Sequence, residues 1–263
     1  MLPVVLQTAA LLFLAADPQA AIEHERSGRA FEAKGDLEKA AAEYEQAVQL
    51  SPSEESFYFE AGHARLLLQQ FDAAVRDLER GCKAFDKSAQ LELALGVAYY
   101  GERRFGDAAG AFLRTIDLAP EVRQPYVFLS KMLDQSADRM PEILPRFQKW
   151  AAGNPDDAQA QFVYAKGILA SGGDTSAAER LLRSSIRLKS DQWESHFELG
   201  VLLEKQRRFP EAAAELERSI ALSPRQPDAH YHLSRVYDRL GESAKAAEQR
   251  DIHARLTSPG GIK

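Results

Sequence analysis

One segment of this chain is written twice. KGDLEKAAAEYEQAVQLSP (34–52) returns near the far end as RRFPEAAAELERSIALSP (207–224), with most apolar and small positions kept. The closing prolines, Pro52 and Pro224, lie 172 residues apart, which is five spacings of 34 plus two residues. A period of that length constrains the fold more than any other feature. Each copy must be one supersecondary unit that cannot bury its apolar face alone, so the copies must stack.

Strict steps of 34 open units at Ala21, Glu55, Ala89 and Arg123, and one additional residue in each of the next two units gives Ala158, Trp193 and Pro227. The seven units are 21–54, 55–88, 89–122, 123–157, 158–192, 193–226 and 227–256, with 257–263 as a tail. Each reads as an apolar-periodic first helix, a short turn often carrying Gly and Asp, and an alanine-rich second helix ending near a proline. No stretch carries a strand signal, so the expected class is all-α.

Within the unit, position eight is small: Gly28, Gly62, Gly96, Ser130, Ala165, Gly200 and Ser234. Position twenty is Ala40, Ala74, Ala108, Ala178, Ala212 and Ala246, with repeat four the exception. Position twenty-four is large: Tyr44, Leu78, Phe112, Phe147, Leu182 and Leu216, and Pro52, Pro120, Pro155 and Pro224 close their units. Helices approach at the short end of the usual range only where side chains are small, and large neighbours then fill the space beside the contact. In length, helix count and these positions the unit resembles the tetratricopeptide repeat, over about residues 21–256. The resemblance implies a right-handed α-solenoid of antiparallel helical pairs that binds protein partners and is not an enzyme. At the far end, Arg250 and His253 stand where other units hold a large apolar and a small residue, which reads as a cap.

The chemistry-bearing patterns are blank. The sequence holds no GxxxxGK, HExxH, GxSxG or GxGxxG, so no catalytic residue, cofactor or metal is expected. His230 and His232 flank Tyr231, but residues two apart on a helix point about 200° apart and cannot share an ion. His24, His196 and His230 all fall at position four, where a packing role is expected. A net charge of −6 and a pI near 5.6 give no electrostatic reason to expect nucleic acid. Cys82, the single cysteine, excludes an intramolecular disulfide.

The surface left over is the second stripe of the first helix. Position five carries Glu25, Phe59, Leu93, Val127, Phe162, Phe197 and Tyr231; position nine carries Arg29, His63, Val97, Lys131, Lys166, Val201 and Arg235. The family resemblance implies that this stripe lines the concave face, where a partner peptide or extended segment binds. The expected groove is Phe59, Leu93, Val127, Phe162, Phe197 and Tyr231 beside Arg29, His63, Lys131, Lys166 and Arg235. It suits a ligand with apolar residues and some negative charge. Phe162, Phe197 and Tyr231 are the aromatics expected to stand most exposed; the competing reading packs position five against the next first helix. One asparagine, Asn154, makes the family's carboxylate-clamp and asparagine-ladder grooves poor matches. A structural subunit of a larger envelope assembly is the alternative function.

Repeat four is the odd unit. Its second helix, MPEILPRFQKW, carries Pro145 in the interior and Ile143 and Trp150 where small residues belong, so a kink or displacement is expected. Residues 134–157 are therefore a hinge or a partner-specific feature. The first twenty residues hold an apolar stretch from Val4 to Ala16, too short for a span of about 20 residues. They read either as an export signal, placing the chain in the periplasm or outside the cell, or as an apolar helix covering the first repeat of a cytoplasmic protein.

Overall fold

The computed structural model describes residues 17–258. Fourteen α-helices and one 3₁₀ segment make up the described chain, and no strand occurs among those residues. They run in pairs: α1 (Pro18–Glu32) with α2 (Leu37–Leu50), α3 (Glu55–Leu67) with α4 (Phe71–Ala84), and α5 (Ala89–Gly101) with α6 (Phe105–Leu118). Repeat four has α7 (Gln124–Lys131), the 3₁₀ segment Asp134–Arg139 and α8 (Met140–Gly153). Then come α9 (Ala158–Ala170) with α10 (Thr175–Leu188), α11 (Trp193–Lys205) with α12 (Phe209–Leu222), and α13 (Pro227–Leu240) with α14 (Ser243–Thr257). Of the apolar leader only Asp17 and the first residues of α1 are described; Val4–Ala16 lies outside, as do residues 259–263 of the tail.

The chain divides into two compact units, Met1–Pro125 and Tyr126–Lys263. In the first, α2 packs between α1 and α3, and α3 contacts both α4 and α5. In the second, α9 packs between α8 and α10, and α11 contacts both α12 and α13. Stacking consecutive pairs in this way is the α-solenoid arrangement.

Position eight owes its size to position twenty-four. A Cβ added at Gly28 would lie 2.6 Å from Tyr44 Cε1, and one at Gly96 would lie 2.5 Å from Phe112 Cε1. Tyr44 and Phe112 are themselves fully buried, so neither ring has room to retreat. Glycine is needed at those sites because the opposing large side chain already occupies the space. The alanines Ala40, Ala74, Ala108, Ala178, Ala212 and Ala246 are likewise wholly buried.

The turn inside six of the seven pairs uses a left-handed residue at position fifteen: Gly35, Gln69, Arg103, Gly172, Arg207 and Gly241, with φ from 56° to 79°. Gln69, Arg103 and Arg207 adopt it without glycine's freedom. Helix starts are held by side-chain caps where the sequence supplies them: Asp17 accepts from Ala20 N at 3.0 Å and Ser88 from Leu91 N at 3.1 Å.

Repeat four departs from this plan ahead of its interior proline. Pro145 lies inside α8, and the non-helical backbone of this repeat is at Ser136 (φ −127°, ψ 27°). Ile143 and Trp150 are buried, and Trp150 stacks on Tyr126 at 4.3 Å between ring centroids. With such side chains facing it the first helix cannot lie close along the second, and it ends after eight residues. The division between the units falls at 125/126, ahead of the 134–157 stretch.

Candidate functional site

In four units position four is a polar tie to the linker before it. Tyr58 Oη donates to the Pro52 carbonyl at 3.3 Å, and Gln161 Nε2 to the Ala151 and Asn154 carbonyls, each at 3.2 Å. His196 Nε2 faces the Ser190 carbonyl at 3.2 Å and His230 Nε2 the Pro224 carbonyl at 3.0 Å. The other ring nitrogen reaches across the pair, to Glu215 at 2.7 Å and Gln249 at 2.6 Å; His24 pairs with Glu43 at 2.7 Å. Among the described residues no group of three His, Cys, Asp or Glu side chains is placed to hold a metal ion.

In the first unit the stripe carries more carboxylate than cation. Arg29 pairs with Glu25 on its own helix and with Glu60 on α3 at 2.7 Å. Burial holds the Glu60 carboxyl above the usual carboxylate range against the pull of Arg29, and its Oε2 is buried with no hydrogen-bond partner. His63 stacks on Phe59 at 5.5 Å and lies 3.9 Å from Glu32, which accepts from Tyr44 Oη at 2.8 Å. Leu93 and Val97 follow, half-buried. Leu67, one turn beyond His63, is 49% exposed.

In the second unit Val127 is half-buried and Lys131 is exposed, with its ammonium 6.0 Å from the Phe128 ring. Phe162 is buried, at 5% exposure, which corrects its placement among the open aromatics. Position five there is packing. Lys166 lies 3.6 Å from Glu198, whose carboxyl burial pushes up while Lys166 opposes the shift. Phe197 is half-buried, tilted against Trp193 at 6.4 Å and edge-on to His232 at 5.8 Å.

Tyr231 is 44% exposed. Its ring meets His232 at 5.4 Å, His253 at 5.6 Å and the Arg235 guanidinium at 5.6 Å. Glu204 accepts from both His232 at 2.6 Å and Arg235 at 3.1 Å. The structure thus brings Phe197, Tyr231 and Arg235 into one cluster on α11 and α13, and Phe59, His63 and Arg29 into another on α1 and α3.

The sequence reading missed the carboxylates. Arg29, Lys166 and Arg235 each pair with an acid on a neighbouring first helix: Glu60, Glu198 and Glu204. These acids fall at positions six and twelve, beside position nine on a helix. An acid there in the adjoining unit was the available signal. The expected welcome for a negatively charged ligand is thereby weakened, because three of its cations already have acid partners.

Repeated helical pairs joined through a left-handed turn, with a small residue opposite a large one, define an α-solenoid repeat protein. The chain belongs to the tetratricopeptide repeat family: a TPR repeat model matches residues 28–69, and a tetratricopeptide repeat model matches 59–122, 168–227 and 202–254. No curated protein matches the chain. Among solved structures it is similar to a tetratricopeptide repeat protein from Parabacteroides merdae, at TM-score 0.68 and 15% identity over 92% of this chain and 94% of the other. The C-terminal part of a TPR repeat-containing protein from Cytophaga hutchinsonii gives 0.61 and 12%, over 90% and 99%. A chain of the APC/C heterotetramer Cut9–Hcn1 gives 0.63 and 16%, over 90% of this chain and 45% of that one. These likenesses are of fold. A fold of this class points to protein partners, and no helix among the described residues is long and apolar enough to cross a membrane.

Proposed function

We propose that the protein is a non-catalytic scaffold that holds a segment of a partner protein along the stripe of its first helices. The observation that carries this reading is Tyr231: a large aromatic left 44% exposed, with a cation on one side and half-buried Phe197 in the same cluster. Exposed aromatics with polar rims are the residues that anchor interfaces, since they bury large area at little conformational cost. The ion pairs around them hold the rim in place and bias the ligand toward an apolar anchor rather than an acidic one.

A photo-crosslinking residue placed at Tyr231, and in a second sample at exposed Arg218 on α12, tests the reading in an extract of the native source. A defined adduct from position 231 and none from 218 is the expected result, with loss of the adduct when Phe197→Ala is added in a still-folded chain. Equal labelling at both positions refutes the stripe as the site and favours the assembly-subunit reading, in which other faces carry the contacts.

A further inference from the structure

The first unit has an apolar face of its own. On α3, Phe59 and Leu66 are half-buried and Leu67 is exposed; on α5, which packs against α3, Leu93, Val97 and Tyr100 are half-buried. Positions five, nine and twelve are spaced i, i+4 and i+7, so on each helix these residues share one side. Two adjacent helices thus leave a run of large apolar groups partly in water, which marks a surface that docks a partner.

The α1 edge of this face is acidic. Burial, and after it the charges of Glu25 and Glu32, push the Glu60 carboxyl up while Arg29 pulls it down, so three carboxylates lie within reach of one another. Their donors run short. Arg29 serves Glu25 and Glu60, and Tyr44 Oη serves Glu32 Oε2, but Glu60 Oε2 has no hydrogen-bond partner and Glu32 Oε1 has the His63 ring at 3.9 Å, beyond hydrogen-bond reach. Arg26, exposed on α1, joins none of these pairs. Three carboxylates therefore share one guanidinium, and they are not arranged to hold a metal ion.

A small cation would answer the carboxylates and leave the apolar run in water, and a purely apolar segment would do the reverse. An acidic segment would be repelled. Charge complementarity and apolar burial together call for one chain that carries both features. We propose, on the reading that a partner lies along the stripe, that this face docks a partner segment in which a lysine or arginine stands beside apolar side chains. The base sits among Glu25, Glu32 and Glu60, and the apolar groups cover Phe59, Leu67 and Leu93. The preferred charge is opposite in sign to the one that the cations of the stripe alone led us to expect.

The test is an amide NMR titration of the full chain with three capped pentapeptides, glycine-leucine-X-leucine-glycine, in which X is lysine, glutamine or glutamate. The lysine peptide should shift the amides of 25–32, 59–67 and 93–100 and bind about two- to fivefold tighter than the glutamine peptide, as a partly exposed ion pair gives; the glutamate peptide should bind weakest. Glu32→Gln keeps an acceptor for Tyr44 Oη and should narrow the lysine preference, whereas Leu67→Ser, at an exposed position, should weaken all three peptides alike. Equal binding of the lysine and glutamine peptides, or a lysine preference that Glu32→Gln leaves unchanged, overturns the proposal. Tighter binding of the glutamate peptide at the same amides overturns the basic partner and leaves the stripe as the site. Silence at these amides for all three peptides at millimolar concentration, with an adduct still formed at position 231, overturns this face alone. Self-association in light scattering that Leu67→Ser abolishes gives the face to a second copy of the chain and overturns the assignment to a partner.

Discussion

Repeat six and repeat four start from one template and end differently. In repeat six α11 runs 13 residues, Gly200 faces Leu216, Arg207 makes the left-handed turn, and Ala212 is wholly buried between the helices. In repeat four the first helix has eight residues, Ser130 stands at position eight, no left-handed residue follows, and Ile143 is buried where Ala212 would be. The difference teaches that side-chain size at one contact decides how long the first helix can accompany the second. Where alanine allows approach, two full helices lie side by side. Where isoleucine and tryptophan wedge them apart, an aromatic stack of Tyr126 on Trp150 takes over and the chain continues as 3₁₀ helix.

The largest test of that contrast is Ile143→Ala. If Ile143 is a wedge locked into its surroundings, truncation leaves a void and costs about 2–5 kcal/mol in denaturant unfolding. A loss near zero would mean that repeat four relaxes to the regular plan once the wedge is gone, and the amide spectrum would show α7 extended.

The regular stack has its own fault, visible as a pH effect. Asp77 on α4 is pushed up to about 6 by burial and by Glu45, with Arg65 and Arg80 at 3.8 and 3.6 Å opposing the shift. Its folded value is above the unfolded value of about 3.9. Its contribution to stability is therefore full below the unfolded value and lost as pH rises through the folded one. Asp77→Asn should flatten the decline in melting temperature between about pH 4 and pH 7, and an unchanged slope would move the effect to other groups.

Smaller effects follow at the turn and the close contact. Gly200→Ala places a Cβ 2.7 Å from Leu216 Cγ and should cost about 1–3 kcal/mol. Ser130→Ala removes only a hydroxyl that bonds the Val127 carbonyl of its own helix, and should cost about 1 kcal/mol or less. Equal losses would erase the distinction between the two repeats at position eight. Arg207→Gly relieves a left-handed backbone and should stabilise by about 0.5–1 kcal/mol after glycine's added unfolded freedom is counted. Ala137→Gly, at the same point in repeat four but outside the left-handed region, should give no gain in the same melts.

What the sequence made legible was whatever repeats. The period, the helical pairs, the small eighth position and the oddity of repeat four all follow from residue size at fixed spacing. The left-handed turn was only half visible, because Gly35, Gly172 and Gly241 announce it while Gln69, Arg103 and Arg207 do not. In the candidate site the stripe could be written down, but exposure along it could not. Phe162 is buried, whereas Tyr231 belongs to the last repeat, beside which no further first helix stands among the described residues. The ion pairs escaped notice because each joins two units, and single-unit alignment hides partners that lie a repeat apart.

The position-four ties give the array a mechanical property. Tyr58, Gln161, His196 and His230 each hold a carbonyl of the preceding linker, so each bond belongs to two units. Pulling one unit loose strips its neighbour of a clasp before that neighbour has lost any packing of its own. Fraying then advances by whole units rather than by single turns, and under tension the chain should yield in steps about one repeat long.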